Sequence, residues 1–164
     1  VGAPIAIIEK RRPEPGVAKV MNIIGDVKGR NCFVVDDIVD TAGSLCEGAK
    51  ALMEYGAAGV YAAVCHPVLT DPATERIKES VLKELVVTNS LPIEKEKMQD
   101  KLTVLSVAPL LGEAILRIFH DASVSALFDK RNWWQDWGIP VKNMNIPATI
   151  WDSMLLTSWP AAGL

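Results

Sequence analysis

Four short apolar runs set the strongest limit on what this chain can fold into. CFVVDD (32–37), GVYAAVCH (59–66), ELVVTNS (84–90) and LTVLSVA (102–108) are rich in β-branched residues, and their hydrophobicity is continuous where a one-sided strand would alternate. A strand with that pattern is buried on both faces. Segments of helical character follow them. Residues 44–55 carry Leu45, Ala49, Leu52 and Met53 at helical spacing and close on Gly56, a C-terminal glycine stop. ATERIKESVLKE (73–84) reads as a polar-faced helix, and PLLGEAILRIFHD (109–121) as a helix with proline at its start. Upstream, APIAIIE (3–9) and VAKVMNII (17–24) read as further strands. KRRPEPG between them is a loop, because two prolines and a glycine forbid regular structure, and GDVKGRN is a polar turn. Strand and helix alternating at this spacing predict an α/β fold: a parallel, twisted sheet with helices on both faces. Ligands of such sheets bind beyond the carboxyl ends of the strands.

Composition narrows the class. The 164 residues are 49% hydrophobic and 23% charged, which is globular and long enough for one ordinary core. A net charge of −3 provides no basic field for nucleic acid. No apolar run reaches the roughly eighteen residues of a membrane span, and no signal peptide is visible. Cys32, Cys46 and Cys65 are an odd count without CxxC spacing, so they are expected as free thiols in a reducing cytoplasm rather than as a disulfide framework. The chain opens on Val1 and runs at once into strand-like sequence, so it is expected to be a piece of something longer. All five tryptophans (Trp133, Trp134, Trp137, Trp151, Trp159) lie after residue 130, in a stretch with only four charged residues, Arg131, Asp136, Lys142 and Asp152. Two segments are therefore expected: 1–130 as an α/β domain and 131–164 as an appended or non-native tail.

VVDDIVDTAGSL (34–45) carries the chemistry. A strand ending in Asp36 and Asp37 projects carboxylates at the edge of the sheet, and ionised carboxylates accept hydrogen bonds from hydroxyl-rich partners. Asp40, Thr41, Ala42, Gly43 and Ser44 follow, with side chains small enough for backbone amides to approach a ligand. They lead into a helix whose N-terminus favours anions. One end suits sugar hydroxyls and the other a phosphate, about a ribose apart. A nucleotide-hydrolysing Walker arrangement would need GxxxxGK[ST], and GSLCEGAK (43–50) lacks that pattern. A plain strand–turn–helix with acidic capping remains open. Taken alone, KRR (10–12) is a solvated loop or a small basic patch, SVSALF (123–128) is a C-terminal turn, and His66 and His120 are structural.

VVDDIVDTAGSL resembles the phosphoribosyl-binding loop of the type I phosphoribosyltransferase fold. EKRRPEPGVAKVMNIIGDVKGRNC, CHPVLTD and SVSALF narrow the resemblance to ribose-phosphate pyrophosphokinases, over residues 1–128. The resemblance implies a phosphoribosyltransferase-like domain, the C-terminal portion of the family's two, incomplete at the N-terminus. It implies that Asp40, Thr41, Ala42, Gly43 and Ser44 bind the 5-phosphate of ribose 5-phosphate. Asp36 and Asp37 would address the ribose hydroxyls directly or through Mg²⁺. Ala42 and Ser44 stand where relatives often have glycine and threonine. Lys10 and Arg12 match a basic catalytic pair, with Arg12 also facing the sugar phosphate. Ser123, Ser125 and Phe128 match a regulatory phosphate or ADP site between subunits of a homo-oligomer. The reaction implied is Mg²⁺-dependent transfer of pyrophosphate from ATP to C1 of ribose 5-phosphate. Most of the ATP site and the family's own metal ligands are expected outside this chain, which is therefore expected to bind the sugar phosphate but to be inactive alone. A base phosphoribosyltransferase and a non-catalytic regulatory relative are the alternative readings.

Overall fold

The structure is a computed structural model, and it describes residues 4–11, 20–129 and 155–158. Two compact units divide the chain, residues 1–105 with 147–164, and residues 106–146.

In the first unit, β1 (Ile7–Arg11) and β2 (Val20–Ile24) form an antiparallel pair, with Ile7 opposite Ile24 and Arg11 opposite Val20. This departs from the all-parallel reading of the sequence. The segment between the two strands is too short for the crossover that a parallel pair requires, so the chain returns antiparallel. β1 also runs through Lys10 and Arg11, two residues into the stretch expected as loop.

The main sheet is parallel, in the order β6-β5-β4-β3-β7. Its strands are β3 (Asn31–Val39), β4 (Gly59–Pro67), β5 (Leu82–Thr88), β6 (Leu102–Leu105) and β7 (Leu155–Ser158). The α/β class is thus the one that the strand–helix alternation predicts. β7 comes from the tail, where no strand was expected. The five tryptophans lie outside the described residues.

α1 (Gly43–Glu54) links β3 to β4, and α2 (Ala73–Glu79) links β4 to β5. Both links step the same way across the sheet, so right-handed crossovers put both helices on one face. Beneath them, Val34, Ala62 and Leu85 lie side by side on neighbouring strands and pack in one cluster with Leu45, Ala49 and Leu52 of α1 and Ile77 of α2. Leu52, Ile77 and Leu85 are fully buried, each contributing about 1.5–3 kcal/mol of apolar burial. On the opposite face Phe33, Tyr61 and Val86 are buried as well. That two-sided burial is what the continuous hydrophobicity of the strands requires.

Helix ends are set by specific contacts. Gly56 adopts φ 92, and Gly56 N donates to Met53 O and Ala57 N to Leu52 O, both at 3.0 Å. This paired closure is the Schellman stop expected from the glycine. α2 ends earlier than its sequence suggests. Ser80 is extended, and its hydroxyl donates to Ile77 O at 2.7 Å. The Lys101 ammonium donates to the carbonyls of Ile77, Lys78 and Ser80 at 3.3, 2.9 and 2.6 Å. A cation closing three terminal carbonyls opposes the helix dipole and frees Leu82–Glu84 to begin β5.

The three cysteines are free, with Cys32 buried, Cys46 half-buried and Cys65 exposed. Burial pushes the Cys32 thiol up to about 11 from 9.0, partly offset by the charge of Arg30. A disulfide-exchange reagent is therefore expected to modify Cys65 in the native chain and Cys32 only on unfolding, which mass spectrometry of the labelled peptides would reveal. The unfolded Cys32 loses its proton before the folded one, so the unfolded state binds fewer protons in this window. Stability falls as pH rises from about 9 to about 11, and burial of Tyr61, reinforced by Glu84, acts in the same direction. Urea midpoints that stay level across that range would refute the prediction.

In the second unit, α3 (Ala108–Phe119) starts at the predicted proline, and Ser106 Oγ accepts from Ala108 N at 3.2 Å. Arg117 bridges to Glu113 at 2.8 Å and donates to Ser123 O at 3.2 Å. A short helix, α4 (Ala126–Asp129), follows. No described helix is long and apolar enough to cross a membrane.

Candidate functional site

The carboxyl end of β3 opens into a cavity of about 230 Å³ lined by Asp36, Ile38, Val39, Asp40, Thr41, Ala42, Gly43, Ser44 and Leu45. Asp36 and Ile38 reach it from the strand, and the loop and first turn of α1 close it. Ala42 is the residue before the helix. It holds the left-handed conformation, φ 57 and ψ 6, and offers no side-chain cap. N–H groups of a first helical turn have no acceptor within the helix. Small residues at a positive helix end and the acids Asp36 and Asp40 therefore line the same cavity.

Contacts from later in the chain brace this loop. The Thr70 hydroxyl donates to the Asp40 carboxylate, and Arg76 Nη1 donates to the Thr41 carbonyl at 3.0 Å. A Cβ on Gly43 would stand 3.4 Å from that same Arg76 nitrogen and 3.8 Å from Thr41 Oγ1. The glycine therefore leaves room for the guanidinium behind the loop.

Of the residues singled out from sequence, Asp36, Asp40, Thr41, Ala42, Gly43 and Ser44 come together in one cavity. Asp37 is absent from its lining. Successive strand side chains point to opposite faces, and the Asp37 N–H donates to Asp36 Oδ1 at 2.9 Å. Lys10 sits in β1 opposite Met21, while its side chain and the whole of Arg12 lie outside the described residues. Ser123 and Ser125 belong to the second unit, their hydroxyls 2.6 Å apart. Phe128 is in α4, and its side chain also lies outside the described residues. His66 Nδ1 is 2.9 Å from Ser90 Oγ. The Ser90 hydroxyl is also 2.9 Å from Cys65 O, which accepts from the Thr88 hydroxyl as well. Thr70 and Arg76 were not singled out from sequence. Both lie about thirty residues beyond the loop they brace, where no local pattern marks them.

Among the described residues no group of three His, Cys, Asp or Glu side chains is placed to hold a metal ion. Asp36 and Asp37, pointing to opposite faces, do not form a two-carboxylate clamp. Asp36 in the cavity wall, with Asp40 engaged by Thr70, does fit Mg²⁺ shared with a phosphorylated ligand, since Mg²⁺ commonly combines one or two carboxylates with substrate oxygens.

Residues 6–129 match the phosphoribosyl synthetase-associated domain. The chain belongs to that family. A ribose-phosphate pyrophosphokinase of Halalkalibacterium halodurans is 58% identical to it over 127 residues, 77% of this chain and 40% of the relative. A ribose-phosphate pyrophosphokinase of Listeria ivanovii is 59% identical over the same length and coverage. Among solved structures, the phosphoribosylpyrophosphate synthetase from Mycobacterium smegmatis aligns with a TM-score of 0.66 at 41% identity, over 74% of this chain and 38% of that one. The resemblance to ribose-phosphate pyrophosphokinases, read from the loop together with EKRRPEPGVAKVMNIIGDVKGRNC, CHPVLTD and SVSALF, is thereby established. This phosphoribosyl synthetase-associated domain spans about two-fifths of the length of the curated relatives it matches.

Proposed function

We propose that this phosphoribosyl synthetase-associated domain is the sugar-phosphate-binding, C-terminal part of a ribose-phosphate pyrophosphokinase. The observation that carries the proposal is the cavity at the end of β3, where Asp36 faces the small-residue loop Asp40–Ser44, in a chain 58% identical to such an enzyme. In this reading the loop amides and the hydroxyls of Thr41 and Ser44 take the 5-phosphate. Asp36 accepts from the ribose hydroxyls, directly or through Mg²⁺, while Asp37 points to the other face of β3, outside the cavity. Asp40, held by Thr70, shapes the loop.

In the complete reaction the anomeric oxygen of ribose 5-phosphate attacks the β-phosphorus of ATP. The bond from that phosphorus to the α–β bridging oxygen breaks, AMP leaves, and the hydroxyl proton passes to solvent. Bound Mg²⁺ would neutralise phosphate charge, with Asp36 as its protein partner in this chain. Lys10 and Arg12 would stabilise charge on the transferring and leaving oxygens, an effect typically worth about a hundredfold in rate or more for each group. Ser123, Ser125 and Phe128 would line a phosphate or ADP site shared with a second copy in a homo-oligomer. Most of the ATP site would lie outside this chain, which spans about two-fifths of the relatives' length. The 164 residues by themselves are therefore expected to bind without turnover.

Calorimetric titration of ribose 5-phosphate with Mg²⁺ tests this, run beside an Asp40→Ala, Ser44→Ala double variant. Binding by the parent that disappears in the variant, with no AMP formed from ATP, is the expected result. A folded parent that takes up no ribose 5-phosphate would return the loop to a plain helix cap. Base exchange on phosphoribosyl pyrophosphate would instead establish a phosphoribosyltransferase.

A further inference from the structure

We propose that Arg76 is a positioning residue for the phosphate loop: it holds the Thr41 carbonyl away from the cavity and so turns the Ala42 N–H toward it. The proposal rests on the sugar-phosphate reading of the cavity and assigns a task to a residue outside it. Arg76 does not line the loop cavity. It lines a neighbouring depression of about 380 Å³ on the other side of Gly43, with Cys46, Lys50 and Ser80. From there Nη1 donates to the Thr41 carbonyl at 3.0 Å. A trans peptide is planar, with its C=O and N–H pointing in opposite directions. Fixing the carbonyl toward Arg76 therefore fixes the next amide, that of Ala42, toward the opposite side, where the cavity lies.

Backbone geometry explains why such a hold is needed. Ala42 has φ 57, a region that L-residues other than Asn and Asp seldom visit. Flipping the Thr41–Ala42 peptide by a half turn would bring Ala42 to φ near −120° with ψ still 6, close to the third position of a type I turn, which an L-residue adopts more readily than the left-handed region. The flip would also replace an amide donor in the cavity by a carbonyl oxygen, which repels phosphate. Local strain thus favours the unproductive orientation, and the hydrogen bond from Arg76 opposes it. The hold is itself anchored, because Cys46 of α1 packs against α2 with Sγ 3.6 Å from Arg76 O.

Isotope-labelled chain titrated with ribose 5-phosphate and Mg²⁺ provides the test, comparing the parent with Arg76→Met and Arg76→Lys. Before ligand is added, the Thr41 carbonyl carbon signal is expected to move upfield in Arg76→Met, while signals of Leu52 and Leu85 stay in place as the check on the fold. On titration the Ala42 amide proton should lose its ligand-induced shift, with affinity about tenfold weaker or more. Arg76→Lys, still able to donate to the carbonyl, should recover part of both. In an Ala42→Gly background, where φ near 57° carries no strain, the loss from Arg76→Met should shrink. An unmoved Thr41 signal in Arg76→Met, or unchanged affinity, overturns the proposal. So does a loss that vanishes at high salt, because Arg76 would then act as a distant charge only. If the parent itself fails to bind while the Thr41 signal still moves in Arg76→Met, the hydrogen bond is real but the sugar-phosphate reading fails, and the positioning role fails with it.

Discussion

Ser44→Asp is expected to raise the stability of this domain while abolishing its binding of ribose 5-phosphate. Ser44 is the second residue of α1, whose first turn has no acidic side chain. A carboxylate there interacts favourably with the helix dipole, by about 0.5 kcal/mol, or a rise of about 1–2 °C in Tm for a chain of this size. The same carboxylate stands where the 5-phosphate is proposed to bind. Two unit charges about 5 Å apart at an effective dielectric near 20 repel by about 3 kcal/mol. Affinity should therefore fall by at least about a hundredfold. Differential scanning calorimetry with and without ligand reads both effects in one experiment. The opposite signs matter, because a residue that only caps a helix would show the gain without the loss. A variant that keeps its ligand-induced rise in Tm would show that the phosphate lies elsewhere.

Leu52→Ala should be the most damaging substitution for the fold. Leu52 has no exposed surface, and it joins α1 to the sheet within the main cluster. Truncating a buried leucine removes transfer energy and leaves a cavity, about 3–4 kcal/mol together. That is a large part of the stability of an ordinary domain and corresponds to a fall in Tm of about 10 °C. Val81→Ala, at a side chain 43% exposed, should cost under about 0.5 kcal/mol. Urea melts of the two variants with equal slopes and midpoints this far apart are expected. Equal midpoints would mean that α1 is not seated on the sheet.

Much of the fold was legible because its causes are local. β3 announces itself by an unbroken β-branched run, α1 by Leu45, Ala49 and Leu52 at helical spacing, and its end by Gly56. Where local preference and distant contacts disagree, reading the sequence went astray. VLKE (81–84) has the composition of a helix, but Ser80 and the Lys101 ammonium terminate α2 before it, and all of it but Val81 joins β5. Strand–helix alternation predicts a parallel setting for β1 and β2 as well, because nothing in either strand states which neighbour it will meet.

The same division runs through the candidate site. By itself the sequence determined the strand–loop–helix of VVDDIVDTAGSL, with small residues where a ligand comes close to backbone. It did so because strand, turn and helix start all depend on residues within a few positions of one another. From sequence the strand is expected to end at Asp36 and Asp37, with both carboxylates at the edge of the sheet, whereas β3 continues through them to Val39, so the two face opposite ways. Only the tertiary structure decided which of the two faces the cavity, since that depends on which side of β3 the loop folds over. Only the tertiary structure brought Thr70 and Arg76 to the loop. β3 and β4 are parallel neighbours in register, from Asn31 beside Gly59 to Val39 beside Pro67. Their carboxyl ends therefore coincide, and the segment after β4 braces the segment after β3 across thirty residues of sequence.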